Sequence, residues 1–186
     1  MAASDESELV KMINTAVHIN DRPSAFRYPR GNGTGVELPN DEEKLIIGKG
    51  KFIKEGKQVA LVNFGARLQE CLIAEQNLTK KGIFPTVFDA RFAKPLDENS
   101  LWQIATNHDV IITIEEGSIG GFGSHVNHFL NEKNLLDKDS KFRSMILPDL
   151  FIDHDKPEKM YKIAGLDSQS IENKVIDTLN SKVILK

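Results

Sequence analysis

Four glycines stand between an apolar run and an apparent helix in Glu115-Glu116-Gly117-Ser118-Ile119-Gly120-Gly121-Phe122-Gly123-Ser124-His125-Val126. Backbone N–H groups at such a strand-to-helix turn can cradle a phosphate, with the helix dipole adding to the attraction. The dinucleotide fingerprint needs glycines spaced G-x-G-x-x-G, and counting from Gly121 puts Val126 at the third position. A Walker loop needs Lys and then Ser or Thr after its last glycine, whereas Ser124-His125 follow Gly123. Glu115 and Glu116 add two negative charges that repel a phosphate. The expectation is a close-packed turn, in which glycine supplies positive φ and lets the helix lie near the sheet.

Arg27-Tyr28-Pro29-Arg30-Gly31-Asn32-Gly33 offers two guanidinium groups, a phenol and free backbone donors at the end of an apparent strand. The planar fork of Arg suits phosphate, and ligands of α/β proteins bind beyond the carboxyl ends of strands. Pairing of both arginines with surface carboxylates is the competing reading. Strand alternation sends Arg27 and Tyr28 to opposite faces, while Arg30, past Pro29, is better placed to reach across an interface. Arg91 and Lys94 could form a second anion site. The preferred reading has Asp89, Arg91 and Asp97 satisfying one another, with Asp97 capping the next helix and Glu98 in its first turn.

Other candidates carry less. His125 and His128 lie three apart, but H-E-x-x-H spacing is absent and no Cys accompanies them, so surface or capping roles are expected rather than a metal. Asp149, Asp153, His154 and Asp155 could supply a His–carboxylate pair, although a solvated turn is the first reading. No Ser or Cys sits in a nucleophile elbow. Cys71, the single cysteine, falls in an apolar-periodic helix and reads as a buried, inert thiol. No catalytic or metal-binding residue is assigned.

The elements that must hold these groups follow from periodicity. A helix is expected from about Asp5 to Ile19, with Asp5 as cap, Glu8 as third residue and Leu9, Met12, Ile13, Ala16 and Val17 as one apolar face. Ser24 to Tyr28 reads as a short strand, and this helix and strand cannot make a core alone. Gly31 to Glu43 is polar and glycine-rich, a linker signal that puts a domain boundary near residue 40. Leu45-Ile46-Ile47 and Gly50 to Gly56 suggest a small antiparallel element. Strands at 59–64, 86–89, 110–114 and 142–147 then alternate with helices at 66–81, 97–106 and 124–131, and two helices after Pro157 and from Ser168 finish the chain. Nearly all-apolar strands between helices argue a mostly parallel sheet covered on both faces, a three-layer α/β/α domain over 44–186.

The 186 residues suffice for one good-sized core. A formal charge of −3, with 24 basic residues scattered along the chain, gives no electrostatic footprint for nucleic acid. No apolar run approaches membrane-spanning length, and Met1 to Glu6 lacks the regions of a signal peptide, so a cytoplasmic location is expected.

Taken in order, Phe26 to Asn32, Asp89 to Asp97, Glu115 to Val126 and Leu147 to His154 resemble the 1-deoxy-D-xylulose-5-phosphate synthase family, transketolase-like thiamine diphosphate enzymes. The series is more specific than any of its members and runs across nearly the whole chain. It is similar only to the carboxyl-terminal portion of that family, so Met1 need not be a natural start. The resemblance implies a tail of the pyrimidine-binding domain over 1–30, an interdomain linker over 31–43 and a transketolase C-terminal domain over 44–186. It implies an enzyme that condenses pyruvate with glyceraldehyde 3-phosphate, releases CO2 and feeds isoprenoid, thiamine and pyridoxal phosphate synthesis. Thiamine diphosphate and magnesium belong to upstream domains of the same enzyme, so this chain is expected to bind neither, to be inactive alone and to contribute to a homodimer. Arg30 matches the arginine that receives the acceptor phosphate, with Arg27 and Tyr28 structural. Asp155-Lys156 depart from the family, which commonly has glycine there. Alternatives are the third domain of a transketolase or of a 2-oxo acid dehydrogenase β subunit, or a stand-alone regulatory nucleotide-binding module.

Overall fold

Apolar side chains on both sides of a strand need a layer of helices on each, and the chain supplies them. The structure, a computed structural model, describes residues 1–40, 42–137 and 140–181. In chain order the elements are α1 (Glu6–Val17), β1 (Lys51–Lys54), β2 (Gln58–Phe64), α2 (Leu68–Thr79), β3 (Thr86–Asp89), α3 (Glu98–Asn107), β4 (His108–Glu115), α4 (Phe122–Glu132), β5 (Lys141–Met145), α5 (Pro157–Ile163) and α6 (Ser168–Asn180). The five strands order as β1-β3-β2-β4-β5. β1 runs antiparallel to β3, and the other pairings are parallel.

One face of the sheet, including Ala60, Val62, Phe64, Phe88 and Ile111, packs on α3 and α4 through Leu101, Ile104, Phe122, Val126 and Leu130. The other face, including Val59, Leu61, Val87, Val110 and Ile112, packs on α2 and α6 through Cys71, Leu78, Ile171 and Val175. Each buried Val, Leu, Ile or Phe among them contributes roughly 1.5–3 kcal/mol, which makes these two layers the bulk of the core. The expected three-layer α/β/α sheet domain is therefore present. Cys71 is buried, and burial pushes its thiol far above the ordinary range, in keeping with an inert sulfur. No helix among the described residues is long and apolar enough to cross a membrane.

The amino-terminal unit departs from expectation. Ser24 to Tyr28 is not a strand; a single parallel bridge joins Arg27 to Ala2. The Arg27 amide donates to the Met1 carbonyl at 3.1 Å, and the Ala3 amide to the Arg27 carbonyl at 3.1 Å. Pro23 and Pro29 flank the segment and offer no amides, so the ladder stops at once. Leu45 to Ile47 is likewise not a strand. Leu45 is buried, and its amide donates to Thr15 Oγ1 at 2.8 Å.

Helix α1 starts as expected, with the Asp5 side chain accepting from the Glu8 amide at 2.8 Å. Its expected apolar face is buried only in part: Met12 is in the core and Leu9 packs beside it, but two polar residues go inward as well and two apolar ones outward. The buried residues are Glu8, Met12 and Thr15, while Ile13 and Val17 are 41% and 70% exposed. Polar anchors decide this: Glu8 meets Arg91, and Thr15 meets Leu45. The segment that follows folds back on α1, where the Glu6 carboxylate accepts from the Thr34 amide (2.8 Å) and hydroxyl (3.0 Å), the Gly35 amide (2.6 Å) and the Val36 amide (3.2 Å). Those bonds, the Thr34 amide first, hold the Glu6 carboxyl down at about 2.

Candidate functional site

The chain leaves β2, places β3 on one side of it, and returns through α3 to place β4 on the other. A crevice opens wherever strand order reverses in this way, and it lies outside the carboxyl ends of the two strands. Here those ends are Phe64-Gly65 and Glu115-Glu116. The crevice is filled by the chain's own amino terminus, leaving a cavity of about 70 Å³ lined by Ala2, Ala3, Arg27, Tyr28, Pro29, Gly65, Ala66 and Glu116. Gly65 has φ +98, and a Cβ there would lie 3.4 Å from the Ala2 Cβ, so the terminal segment sits directly on the turn.

Two guanidinium groups brace the crevice. Arg67, just before α2, pairs with Glu116 at 2.9 Å, with both side chains largely buried, and its guanidinium lies 3.6 Å above the Tyr161 ring of α5. The pair is an ion contact whose N–H is not aligned for a full hydrogen bond. Burial first, and then the Glu116 carboxylate beside it, push the Tyr161 phenol up to about 12. Arg27 lies 5.1 Å over Phe64 and donates to the Glu116 carbonyl at 3.4 Å, and Phe64 stacks on Phe122 at 4.7 Å. Arg27 and Tyr28 thus line one crevice together instead of pointing to opposite faces, because the expected strand is absent.

The glycine stretch forms the adjacent wall and its role is now explicit. Glu115 turns inward and accepts from the Phe122 amide at 3.0 Å and the Gly123 amide at 2.8 Å, occupying the anion position at the α4 N-terminus. A Cβ on Gly121 would lie 2.5 Å from Glu115 Oε2, and one on Gly123 would lie 2.6 Å from Thr113 Oγ1 and 2.7 Å from Ser144 Oγ. The close-packed turn is as expected. Its glutamates do more than repel a phosphate, since one of them takes the phosphate's place.

The remaining candidates scatter. Arg30, the substrate-binding expectation, is exposed and stands one residue beyond Pro29 at the crevice rim. Asp97 caps α3 through the Ser100 amide at 3.2 Å, and it also binds Lys49 (3.1 Å) and the Gly50 amide (3.0 Å). Arg91 does not join Asp97; its guanidinium pairs with Glu8 at 2.7 Å, 83 residues away in sequence, a partner that no local pattern announces. Asp155 pairs with Lys159 at 3.2 Å and no His154–carboxylate contact occurs among the described residues. His128 is exposed and His125 half-buried on α4, and no group of three or more His, Cys, Asp or Glu is arranged to hold a metal ion among the described residues. The Arg67–Glu116–Tyr161 set also escaped sequence reasoning, because its members lie on three separate elements.

Architecture and crevice together define an open, doubly wound α/β domain whose ligand-type switch point is plugged by its own leading segment. The chain belongs to the transketolase C-terminal domain family, whose model ("Transketolase, C-terminal domain") matches residues 48–171. It is similar to a split-gene transketolase described as an inactive β4 tetramer, with 28% identity and a TM-score of 0.68 over 77% of this chain and 46% of that one. A transketolase from Campylobacter jejuni aligns over 95% of this chain and 25% of its own length, at 18% identity and a TM-score of 0.67, a likeness of fold. The chain therefore spans about half of the first relative and a quarter of the second.

Thiamine diphosphate, which the transketolase family implies in a full enzyme, does not fit this crevice. A cavity of about 70 Å³ is well below the roughly 300–1,000 Å³ of small-molecule sites, and the α4 amides that could receive a diphosphate already hold Glu115.

Proposed function

We propose that this chain is the carboxyl-terminal part of a 1-deoxy-D-xylulose-5-phosphate synthase, with residues 1–30 as the tail of the pyrimidine-binding domain, 31–43 as the linker and 44–186 as the third domain. In the complete enzyme, upstream domains hold thiamine diphosphate and magnesium, pyruvate loses CO2, and the remaining two-carbon unit joins glyceraldehyde 3-phosphate. This chain supplies structure, part of a homodimer surface and one substrate contact, and it binds no cofactor alone. The product serves isoprenoid, thiamine and pyridoxal phosphate synthesis, and the setting is cytoplasmic.

One observation carries the reading that the chain works as part of a larger body. Helix α1 buries Glu8, Met12 and Thr15 against the domain and turns Ile13 and Val17 outward, so part of its apolar side needs a cover that the described residues do not provide. The ordered series of motifs, with Arg30 just past the crevice-lining Pro29, supports the synthase over other members of the family. Arg30 receives the acceptor phosphate as a charge-assisted contact.

The test is kinetic, on the full-length enzyme. Arg30→Ala is expected to raise KM for glyceraldehyde 3-phosphate about 30-fold, corresponding to roughly 2 kcal/mol, with little change in KM for pyruvate. An equal effect on both substrates sinks the assignment. A transketolase is the second reading, favoured by the names of the similar structures. CO2 release from pyruvate decides between the two, since a transketolase uses a ketose donor and releases none.

A further inference from the structure

Where α1 crosses the end of β3, buried polar groups meet with too few partners. Asp89 ends β3 and is 1% exposed, and its carboxylate has a long contact of 3.4 Å from the Arg91 amide, with the Ser4 hydroxyl beside it. The Glu8 carboxylate, also buried, holds the Arg91 guanidinium at 2.7 Å and Lys11 at 3.5 Å, and Lys11 is shared with Glu43 at 3.0 Å. Glu8 Oε2 and Arg91 Nε are buried without a hydrogen-bond partner among the described residues. So is Oδ1 of Asn63, the residue paired with Asp89 in the β2–β3 register.

Every neighbouring element contributes to this cluster. Helix α1 brings Glu8 and Lys11, the segment before it brings Ser4, and the exit from β3 brings Arg91. Strand β2 brings Asn63, α2 brings the Cys71 thiol, and β1 sets the exposed Lys51 opposite Asp89 in the ladder. The innermost charges are two carboxylates and one guanidinium, already engaged by Glu8. An ionised Asp89 leaves that trio with a net charge of −1 away from water, and a protonated Asp89 leaves it neutral.

We propose that Asp89 holds α1 on the sheet domain as a neutral acid, so that the seat of residues 1–17 is a proton-dependent latch that loosens when the proton leaves for solvent. Burial pushes the Asp89 carboxyl up to about 7; Ser4 and Arg91 act in the opposite direction, while the Glu8 carboxylate adds to the rise. The folded value lies above the ordinary 3.8, so the contribution is complete below about pH 4 and is lost as pH rises to about 7.

The latch is tested on the full 186-residue chain by following the Asp89 carboxyl with ¹³C NMR and α1 amides by hydrogen exchange, corrected for intrinsic rate. The expected result is a midpoint near 7, with opening of α1 rising on the order of 50-fold between pH 5 and 8 while Ile111 and Ile112 of β4 stay protected. Asp89→Asn keeps shape and neutrality and is expected to flatten the dependence; it retains His18 at the α1 C-cap, so any slope that remains belongs to other groups. A midpoint near 4, a flat wild-type profile, or an Asp89→Asn profile as steep as wild type overturns the proposal. The NMR midpoint in the wild type decides the matter even if the variant does not fold.

Discussion

Replacing Glu115 tests whether the glycine turn is built around a side chain or around a missing ligand. In the folded chain its carboxylate, 2% exposed, accepts from two amides at the start of α4. Hydrogen bonds to a charged group contribute about 1.5–3 kcal/mol each, and a negative charge at a helix N-terminus adds up to about 1 more. Glu115→Gln keeps one acceptor oxygen, loses the charge and turns an NH₂ group toward an amide, so it is expected to cost about 2–3 kcal/mol. Glu115→Ala leaves both amides unpaired beside a cavity and is expected to cost about 4 kcal/mol. At roughly 2–4 °C per kcal/mol for a chain of this size, the Gln variant melts about 5–10 °C lower.

The glycines make the test sharper. The three atoms nearest to a Cβ on Gly121 all belong to Glu115, at 2.5, 3.0 and 3.0 Å, so Gly121→Ala is expected to cost about 2 kcal/mol in the wild type. In the Glu115→Ala background that obstacle is gone and the cost falls to near zero, a coupling of about 2 kcal/mol. Gly123→Ala meets Thr113 and Ser144 instead, so its cost stays the same in both backgrounds. A gain in helix propensity of about 1 kcal/mol does not offset that collision. Urea unfolding of the wild type and six variants (four single and two double) measures all of this. Additive effects at Gly121 and Glu115, or stabilisation of the wild type by inorganic phosphate, refute the reasoning.

Three further outcomes are expected. Arg67→Met strips Glu116 of its cation and uncovers Tyr161, and it is expected to cost about 2–4 kcal/mol in urea unfolding because a largely buried carboxylate is left unpaired. The Tyr161 phenol, raised above its ordinary 10 to about 12, contributes stability that is complete below pH 10 and is lost as pH climbs to 12; absorbance at alkaline pH follows it, and Tyr161→Phe removes that step. Glu6 runs the other way. With its carboxyl held at about 2, its grip on Thr34 to Val36 persists at neutral pH and is lost as pH falls through 2, and Glu6→Gln is expected to speed exchange of those three amides at least several-fold at pH 7.

Periodicity carried the sheet domain well. Residues 59–64 and 110–114, within β2 and β4, are nearly continuous apolar runs because both their faces are covered, and that pattern is local. The Asp5 and Asp97 caps were legible for the same reason, since each bonds an amide three residues on. Misreadings fall where partners are distant. Residues 24–28 read as a strand, but a strand needs a neighbour, and among the described residues only Met1 to Ala3 supply one. The apolar stripe of α1 read as its buried face, yet Arg91 and Leu45 reach it from far along the chain and draw Glu8 and Thr15 inward.

From residue 58 onward the order of strands and helices can be read from the chain alone, as can the failure of both phosphate fingerprints and the need for glycine between β4 and α4. All of these follow from residue type and short-range spacing. Only the tertiary structure decided that Glu115 fills the helix terminus, that Arg27 meets Glu116 across 89 residues, and that the amino-terminal segment plugs the crevice between β2 and β4. The last two exist because the chain reverses direction across the sheet at β2, which brings together groups that no sequence window contains; the first is local but depends on α4 packing against the sheet so that Glu115 turns inward.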